Sequence, residues 1–551
     1  MRGRFLLRLL GAYAVLLVIG CIGVRAWASL SATSSERRAI VRSRWLNGSL
    51  VERTVHSEKE PPTDLPSREG ILVDEIAVAE GPLSLSKVVF PLSLVPGLDG
   101  LRADLDGKTI WITTDDLLVA QAYDRAASFL DPSLGMGTRW DTAIGLVAAR
   151  AGVTSNDVEQ RAVLRRIRWE RKTVGVPPPK RITKDDLDRK TVLAAISDAA
   201  QFIARGVDGQ GRYRYIIEAT TDATLPGYNW PRHAGTTYFL AQASALLDDA
   251  VVRYACLRAA AAMRDQVTKD CGDNKCIAEE NEASVGSSAL GLIAYAEIVR
   301  TKAGDSYKEQ IAELARFLRS QQRADGELMH FYDRGNKRPV DVQVMYFTGE
   351  AALALSRAHR VTGDPEDLAA AKRALANLSG KGWSFFGSRY YFAEEHWTCQ
   401  AVADLWDRAP DEKALEFCLR WHEYQRRLQH DDGDSPFDGD GSFGFSPLVT
   451  PRITPASSRG EAAVAALDVV KKKGDTRAAA LLDDELRRAL AFVMRSQLRP
   501  GPNHLFARPD VTRGGFPGSA VDHQLRIDYA QHAGSMMIRF LEVTGPSLAT
   551  P

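Results

Sequence analysis

Six short segments of the chain combine acidic, basic, imidazole and aromatic side chains, the groups that acid–base chemistry on a polar ligand requires. They lie at 228–233, 279–282, 346–350, 390–397, 457–461 and 526–532. Glutamates and histidines can transfer protons, arginines can neutralise a carboxylate, and aromatic rings can stack on an apolar ligand face. Because six segments of one chain share this composition, a common functional site is a better interpretation than six independent loops that only aid solubility.

The candidate catalytic residues are the acids and histidines of these segments: Glu350, Glu395, Glu461, Asp528, His233, His396 and His532. Two carboxylates could flank a glycosidic bond and hydrolyse it, with one of them kept protonated by burial. Alternatively, a histidine base and an arginine could carry out elimination or epimerisation next to a uronate carboxylate. Both reactions stay open, although the histidines and arginines favour an acidic or modified sugar. For each histidine, the alternative is a structural role. For Glu350 and Glu461, the alternative is that the carboxylate only caps the first turn of a helix.

The candidate substrate-binding residues are aromatic or form hydrogen bonds: Tyr228, Asn229, Trp230, Arg232, Glu282, Tyr346, Tyr391, Trp397, Arg459, Arg526 and Tyr529. The CH face of a pyranose stacks on Trp or Tyr, while amide, carboxylate and guanidinium groups bind its hydroxyls. This composition predicts a carbohydrate polymer as the partner.

Paired helices must position these segments. Amphipathic patterns occur at about 188–206, 249–268, 306–322, 366–379, 411–428 and 476–497, each followed by a pattern that is apolar nearly all round. The apolar patterns lie at about 233–247, 284–301, 347–361, 395–408, 458–473 and 529–544. A helix with one apolar stripe faces solvent, whereas one that is apolar all round is enclosed by protein. We therefore expect six outer and six inner helices in a double-layered α/α ring, with the six segments at one mouth.

The amino-terminal third differs from this pattern. An apolar run at 9–24 follows three arginines, so residues 1–28 predict a membrane anchor, a lipoprotein signal at Cys21 or a cleaved signal at 26–28. Each alternative places the body in the periplasm or outside the cell, and the anchor would keep it on the membrane. Residues 29–69 predict a polar stalk.

Residues 70–174 predict a small α+β domain. Strands are expected at 71–78, 87–91, 101–105 and 109–113, and helices at 117–129, 138–151 and 155–167. Such a module could dock a protein partner. A Pro-rich linker at 175–187 then leads into the ring at 188–551.

Charge and cysteine content limit the other possibilities. The net charge is +1, so nucleic acid is not an expected partner. Cys271 and Cys276 predict a small-loop disulfide, and Cys256, Cys399 and Cys418 predict buried thiols. Neither Cys-x2-Cys nor His-Glu-x-x-His occurs, so neither a metal site nor a cofactor is expected.

The Gln-Gln-Arg-Ala-Asp-Gly segment at 321–326, together with Arg232-His233 and His396-Trp397 at the starts of inner helices, resembles the six-hairpin (α/α)6-barrel superfamily of carbohydrate-active enzymes. The resemblance covers about 360 residues and implies a glycosidase, a polysaccharide lyase or a sugar epimerase. It completes the expected fold class: mainly α, an (α/α)6 toroid preceded by a small α+β domain and an N-terminal membrane segment.

Two other functions remain open at this stage. A non-catalytic envelope protein could use the same ring to bind a glycan or a protein. A terpenoid or lipid cyclase-like toroid is the second alternative, although no Asp-x-Asp-Asp or Asp-Asp-x-x-Asp stands at an inner-helix start.

Overall fold

The computed structural model describes residues 39–57, 59–60, 69–83, 87, 89–123, 137–304, 307–380, 396–433, 438–444, 450–499 and 503–545, with residues 16, 19, 20, 23, 24, 33 and 34. Cys21, and with it most of the predicted membrane segment, lies outside these residues. Among the helices that are described, none has the length and apolarity that a membrane crossing requires.

Twelve long helices in the described residues form the predicted hairpins. The outer helices are α5 (Arg189–Arg205), α7 (Ala250–Ala262), α9 (Lys308–Ser320), α11 (Pro365–Gly380), α13 (Glu412–Arg426) and α15 (Thr476–Ser496). The inner helices are α6 (Trp230–Leu247), α8 (Val285–Arg300), α10 (Phe347–Thr362), α12 (His396–Leu405), α14 (Ile453–Lys473) and α17 (Ile527–Thr544). A short helix, α16 (Pro509–Thr512), precedes the last inner helix.

The inner helices close into a ring. Each inner helix contacts the next one along the chain, and α17 contacts α6, so the last hairpin packs against the first. Small residues permit these close approaches: a side chain in place of Gly534 on α17 would overlap the Phe239 ring of α6. The predicted (α/α)6 toroid is therefore confirmed, and its Ala- and Gly-rich inner helices are explained by how closely their backbones approach one another.

Local signals set where the helices begin and end. Outer helices α5, α7, α13 and α15 each follow an aspartate whose carboxylate accepts a backbone N–H of the first turn. Helix α10 ends at Gly363, which adopts a left-handed conformation with φ of 73°, and α11 begins at Pro365. Apolar positions such as Ile311, Leu314 and Leu318 of α9 face the inner layer and are buried.

Two small sheets line the end of the ring where the inner helices begin. One has the order β15-β16-β8-β9, with β8 (Ile216–Glu218), β9 (Ala223–Thr224), β15 (Pro517–Ser519) and β16 (Asp522–Arg526). The other runs β10-β11-β12-β13-β14, with β10 (Thr268–Cys271), β11 (Asn274–Glu279), β12 (Glu282–Ser284), β13 (Phe331–Asp333) and β14 (Arg338–Val340). The first sheet joins the first and last hairpins across the seam of the ring.

The amino-terminal part is one antiparallel sheet with order β3-β2-β4-β7-β5-β6, and β1 pairs with β4. Its strands are β1 (Thr33–Ser34), β2 (Ala39–Leu46), β3 (Ser49–Ser57), β4 (Ile71–Pro82), β5 (Asp99–Leu105), β6 (Lys108–Ile112) and β7 (Val163–Thr173). Helices α1 (Phe90–Ser93), α2 (Thr114–Val119), α3 (Trp140–Ala151) and α4 (Ser155–Arg161) pack beside it.

Three predictions in this part were wrong. Residues 39–57 do not form a polar stalk, because β2 and β3 pair as a hairpin that buries Val41 and Trp45. The helix predicted at 155–167 ends at Arg161, and β7 follows, with alternate buried positions on its first residues. Residues 90–93 are helical, where a strand was predicted at 87–91.

Disulfides cross-link the helical part twice among the described cysteines. Cys271 pairs with Cys276 across the β10–β11 hairpin. Cys399 of α12 pairs with Cys418 of α13, so the expectation of two buried thiols at these positions was wrong. Cys256 is a buried thiol, as expected.

Candidate functional site

Three side chains from three consecutive inner helices meet near the axis of the ring. His396 begins α12, Glu461 lies in the third turn of α14, and His532 lies in the second turn of α17. The imidazole rings of His396 and His532 approach edge to face, with centroids 5.4 Å apart. His532 Nδ1 lies 2.7 Å from Glu461 Oε2. Trp397 covers this cluster, since its ring lies 4.6 Å from His396 and 6.2 Å from His532.

Burial controls the charges of this cluster. Desolvation, together with the nearby His532 and Arg459, holds the pKa of His396 well below its usual value, so His396 is a neutral base at pH 7. Desolvation also raises the pKa of Glu461, although the bond to His532 opposes that shift. The Glu461–His532 hydrogen bond fixes which imidazole nitrogen faces the carboxylate, as in a catalytic triad.

The same three residues have donor atoms that could bind a metal ion. One nitrogen or oxygen atom from each of His396, Glu461 and His532 lies within 4.8 Å of the other two. Two imidazoles and a carboxylate suit several divalent transition metals. No metal site was expected from the sequence, because these ligands come from separate helices and form no spacing motif.

A second cluster lies where β16 runs into α17. Arg526 binds Asp528 through both prongs of its guanidinium, at 2.5 and 2.8 Å. Arg232 of α6 approaches the same carboxylate at 3.2 Å and donates to the Tyr215 hydroxyl at 2.8 Å. Burial alone would raise the pKa of Asp528, but the hydrogen bond from Arg526 and the charges of both arginines lower it. Asp528 is therefore a fixed anion rather than a general acid.

This second cluster carries two guanidinium groups for one carboxylate. The Arg232 and Arg526 side chains remain 38% and 26% exposed, whereas Asp528 is 6% exposed. Arg526 also lies over the Tyr529 ring, 4.6 Å from its centroid. Sequence reasoning missed Tyr215, although the alternation of Tyr213 and Tyr215 before β8 was a signal for a strand edge at this mouth.

His233 has different surroundings from the other two histidines. Its Nε2 lies 2.9 Å from the carbonyl oxygen of Ala259, and its Nδ1 lies 2.6 Å from the Tyr228 hydroxyl. Burial lowers its pKa to about 4. Because both ring nitrogens bond within the protein, His233 holds α6 against α7 and does not fit the catalytic role expected for it.

The remaining candidates divide between structural positions and the rim. Asn229 caps α6 by accepting the backbone N–H of Arg232, and Trp230 is buried against His233. Arg459 is buried and donates to Gln425 at 2.7 Å. Glu350 is buried in α10, Tyr346 precedes that helix half-buried, and Glu282 is exposed on β12. Tyr391 and Glu395 lie outside the described residues.

No protein-family model and no curated protein matches the chain. Among solved structures, a D-mannose isomerase is similar with a TM-score of 0.49 and 13% identity, covering 66% of this chain and 99% of that one. A cellobiose 2-epimerase from Bacillus thermoamylovorans B4167 has a TM-score of 0.48 at 12% identity, covering 64% and 99%. An unsaturated glucuronyl hydrolase specific for heparin has a TM-score of 0.48 at 12% identity, covering 66% and 100%.

The assignment of the architecture rests on the helix contacts themselves: six consecutive hairpins in the described residues, with neighbouring inner helices packed together and the last packed on the first. By that closed double layer, the chain is an (α/α)6 toroid.

Proposed function

We propose that the protein is a carbohydrate-processing enzyme that moves a proton at a sugar carbon next to a carbonyl or carboxylate, with His396 and His532 as the acid–base pair. The observation that carries this proposal is the meeting of two histidines from different inner helices, one of them hydrogen-bonded to a buried glutamate. Epimerisation and isomerisation need such a pair, because one group removes the proton and a second group can return it at another position.

The chemistry of each step follows from the charges of the cluster. A neutral imidazole removes the proton bonded to the carbon, and the electron pair of that bond moves onto the adjacent carbonyl oxygen to give an enediolate. The depressed pKa of His396 keeps its imidazole unprotonated at neutral pH, so that a ring nitrogen is available to accept a proton. Glu461 would stabilise the positive charge that forms on His532 when it accepts a proton. A proton returned to the other face inverts the centre. A proton returned to the neighbouring carbon isomerises the sugar when the hydroxyl proton moves from the oxygen of the first carbon to the oxygen of the second.

The arginine-rich cluster supports an acidic or oxidised sugar as substrate. Arg232 and Arg526 together carry one more positive charge than Asp528 neutralises. Partly exposed guanidinium groups bind carboxylates in a bidentate manner. A uronate carboxylate, or the oxygen on which the enediolate charge develops, suits this surplus.

Glycoside hydrolysis is the second candidate, and the raised pKa of buried Glu461 favours it, since a general acid must hold its proton. Hydrolysis also needs a second carboxylate, and Asp528 is already bound by two arginines. The acid–base pair of histidines therefore fits the described residues better than a pair of carboxylates.

We also propose that the ring lies outside the cytoplasm. The two disulfides support this location, because such bonds form and persist in oxidising compartments. Cell fractionation of the full chain, with a label on the ring, tests it.

Solvent exchange tests the reaction directly. The enzyme is incubated in D₂O with aldoses, ketoses and uronates, with and without a chelator, and NMR follows loss of the C2 proton signal and appearance of new sugars. We expect exchange by the wild type and loss of exchange in His396→Asn and His532→Asn, with unchanged helical circular dichroism. Exchange that persists in both variants would overturn the proposal. Release of reducing ends without exchange would indicate the hydrolase, and binding without any product would indicate a glycan-binding protein.

A further inference from the structure

A separate cavity opens at the end of the ring opposite the histidine and arginine mouth. Its volume is about 450 Å³, which lies within the usual range for sites that bind small molecules. The C-terminal halves of the inner helices line it, for example Gln242 of α6, Arg357 of α10 and Asp404 of α12. None of the sequence-predicted residues except Glu461 lies on its wall.

Several residues that line this cavity have a buried polar atom without a hydrogen-bond partner in the part of the chain that the structure describes. Gln242 is 4% exposed, and its Nε2 donates to the Tyr238 hydroxyl at 2.8 Å. Within the described residues, its Oε1 has no hydrogen-bond partner, and the same holds for Glu461 Oε1 and Gln400 Nε2. Arg357 and Arg408, which also line the cavity, have guanidinium nitrogens with no hydrogen-bond acceptor among the described residues. A buried polar atom left without a partner costs about 1–3 kcal/mol, so these residues favour a polar occupant.

The charges on the wall identify the chemical class of that occupant. Six basic side chains line the cavity (Arg300, Arg357, Arg360, Arg408, Lys472 and Arg539), and six acidic ones lie among them (Glu297, Asp404, Asp407, Glu461, Asp468 and Glu542). Arg357, for instance, lies 3.6 Å from Glu297 and 3.7 Å from Asp404. A site for an anion needs an excess of cations, whereas mixed donors and acceptors suit hydroxyl groups, each of which donates and accepts.

We propose that this cavity is a binding site for a neutral, polyhydroxylated small molecule of monosaccharide size, distinct from the site at the other mouth. Glu461 belongs to both sites: its Oε2 contacts His532, and the residue also lines the cavity. An occupant that forms a hydrogen bond with Glu461 competes for the charge that orients His532. This coupling rests on the proposed function, whereas the binding itself does not.

Non-reducing probes separate the two sites, because they have no carbonyl group for the histidines to act on. Calorimetry with myo-inositol and methyl α-D-glucopyranoside measures binding, and hydrogen–deuterium exchange locates it. We expect protection at the C-terminal halves of α6, α10 and α12. Gln242→Leu and the more exposed Arg360→Ala should each weaken binding about tenfold, the effect of one lost hydrogen bond.

Arg253→Ala is the matched control for Arg360→Ala, since both arginines are about 40% exposed but Arg253 pairs with Asp248 away from the cavity. His396→Asn should bind the probes as the wild type does. Three results would each overturn the proposal. They are the absence of binding by every probe, wild-type affinity in both Gln242→Leu and Arg360→Ala, and tighter binding of inorganic phosphate than of the neutral probes. Binding without any change in the rate of C2 proton exchange would remove only the coupling through Glu461.

Discussion

Two histidine–glutamate pairs have nearly the same geometry and different surroundings. His532 and Glu461 join two inner helices at 2.7 Å, beside a second histidine. His422 and Glu485 join outer helices α13 and α15 at 2.8 Å, with Arg426 as a further neighbour. A hydrogen bond between these residue types is therefore insufficient to define a site. The inner pair differs from the outer pair because His396 lies beside it and because it lies near the axis of the ring.

At the residue scale, Glu461→Gln tests whether the carboxylate acts through His532. The amide keeps the size of the side chain but cannot stabilise a positive imidazole, so we expect the rate of C2 proton exchange at saturating substrate to fall about 10²-fold. KM should change little, and unfolding in denaturant should occur close to the wild-type midpoint.

Glu485→Gln is the matched control for this substitution. It should lower stability and leave the exchange rate unchanged, because the His422–Glu485 pair lies in the outer layer. An exchange rate in Glu461→Gln within twofold of the wild-type rate would show that the inner pair is structural as well.

At the element scale, the helices were the most predictable part of the chain. Each helix is specified by the periodic spacing of its apolar residues and by residues that end it, such as Gly363 followed by Pro365. The inner helices are apolar all round because the outer layer encloses them. The strand at 163–173 was missed because its partners on β4 lie up to 100 residues away. The hairpin at 39–57 is local, and its Asn47-Gly48 turn was a signal that could have predicted it. The meeting of His396, Glu461 and His532 depends on ring closure, which no segment of sequence encodes alone.

The disulfide between α12 and α13 should stabilise the ring. It closes a loop with a sequence separation of 19, whereas the Cys271–Cys276 bond spans 5. Loop-closure entropy predicts losses of about 3 and about 2 kcal/mol in the free energy of unfolding when the respective pairs are replaced by alanine.

All four of these cysteines are buried, so the two double variants form a matched comparison. Guanidinium unfolding without reductant measures both. A smaller loss for the Cys399/Cys418 variant than for the Cys271/Cys276 variant would contradict the entropic argument.

At the scale of the whole molecule, the amino-terminal sheet docks on the toroid through a buried charge cluster. Asp115 of α2 lies 2.7 Å from His504 of the toroid and 3.1 Å from Arg171 of β7. Glu75 of β4 accepts from the Thr114 hydroxyl and the Asp115 N–H in the same cluster. The domain expected to dock a protein partner thus contacts the ring of its own chain, and a separate protein partner for it remains a prediction.

Burial and the neighbouring Asp115 charge raise the pKa of Glu75 from 4.5 to about 8. Its stabilising contribution is fully present below its unfolded pKa of 4.5 and is lost as the pH rises through 8. We therefore expect Glu75→Gln, which stays neutral, to gain stability relative to the wild type between about pH 5 and pH 8. Denaturant unfolding at several pH values measures the difference.

Glu170→Gln, at an exposed position of β7, is the control and should show no such trend. A difference between Glu75→Gln and the wild type that is constant with pH would contradict the raised pKa.

The packing of the last inner helix on the first has a consequence for synthesis of the chain. His532 lies on α17, which also fills the gap between α14 and α6. A nascent polypeptide therefore acquires the second histidine and the final wall of the ring in the same event, after the other five hairpins have been made. Partly made copies would have neither, so activity can begin only in a molecule whose barrel is already sealed.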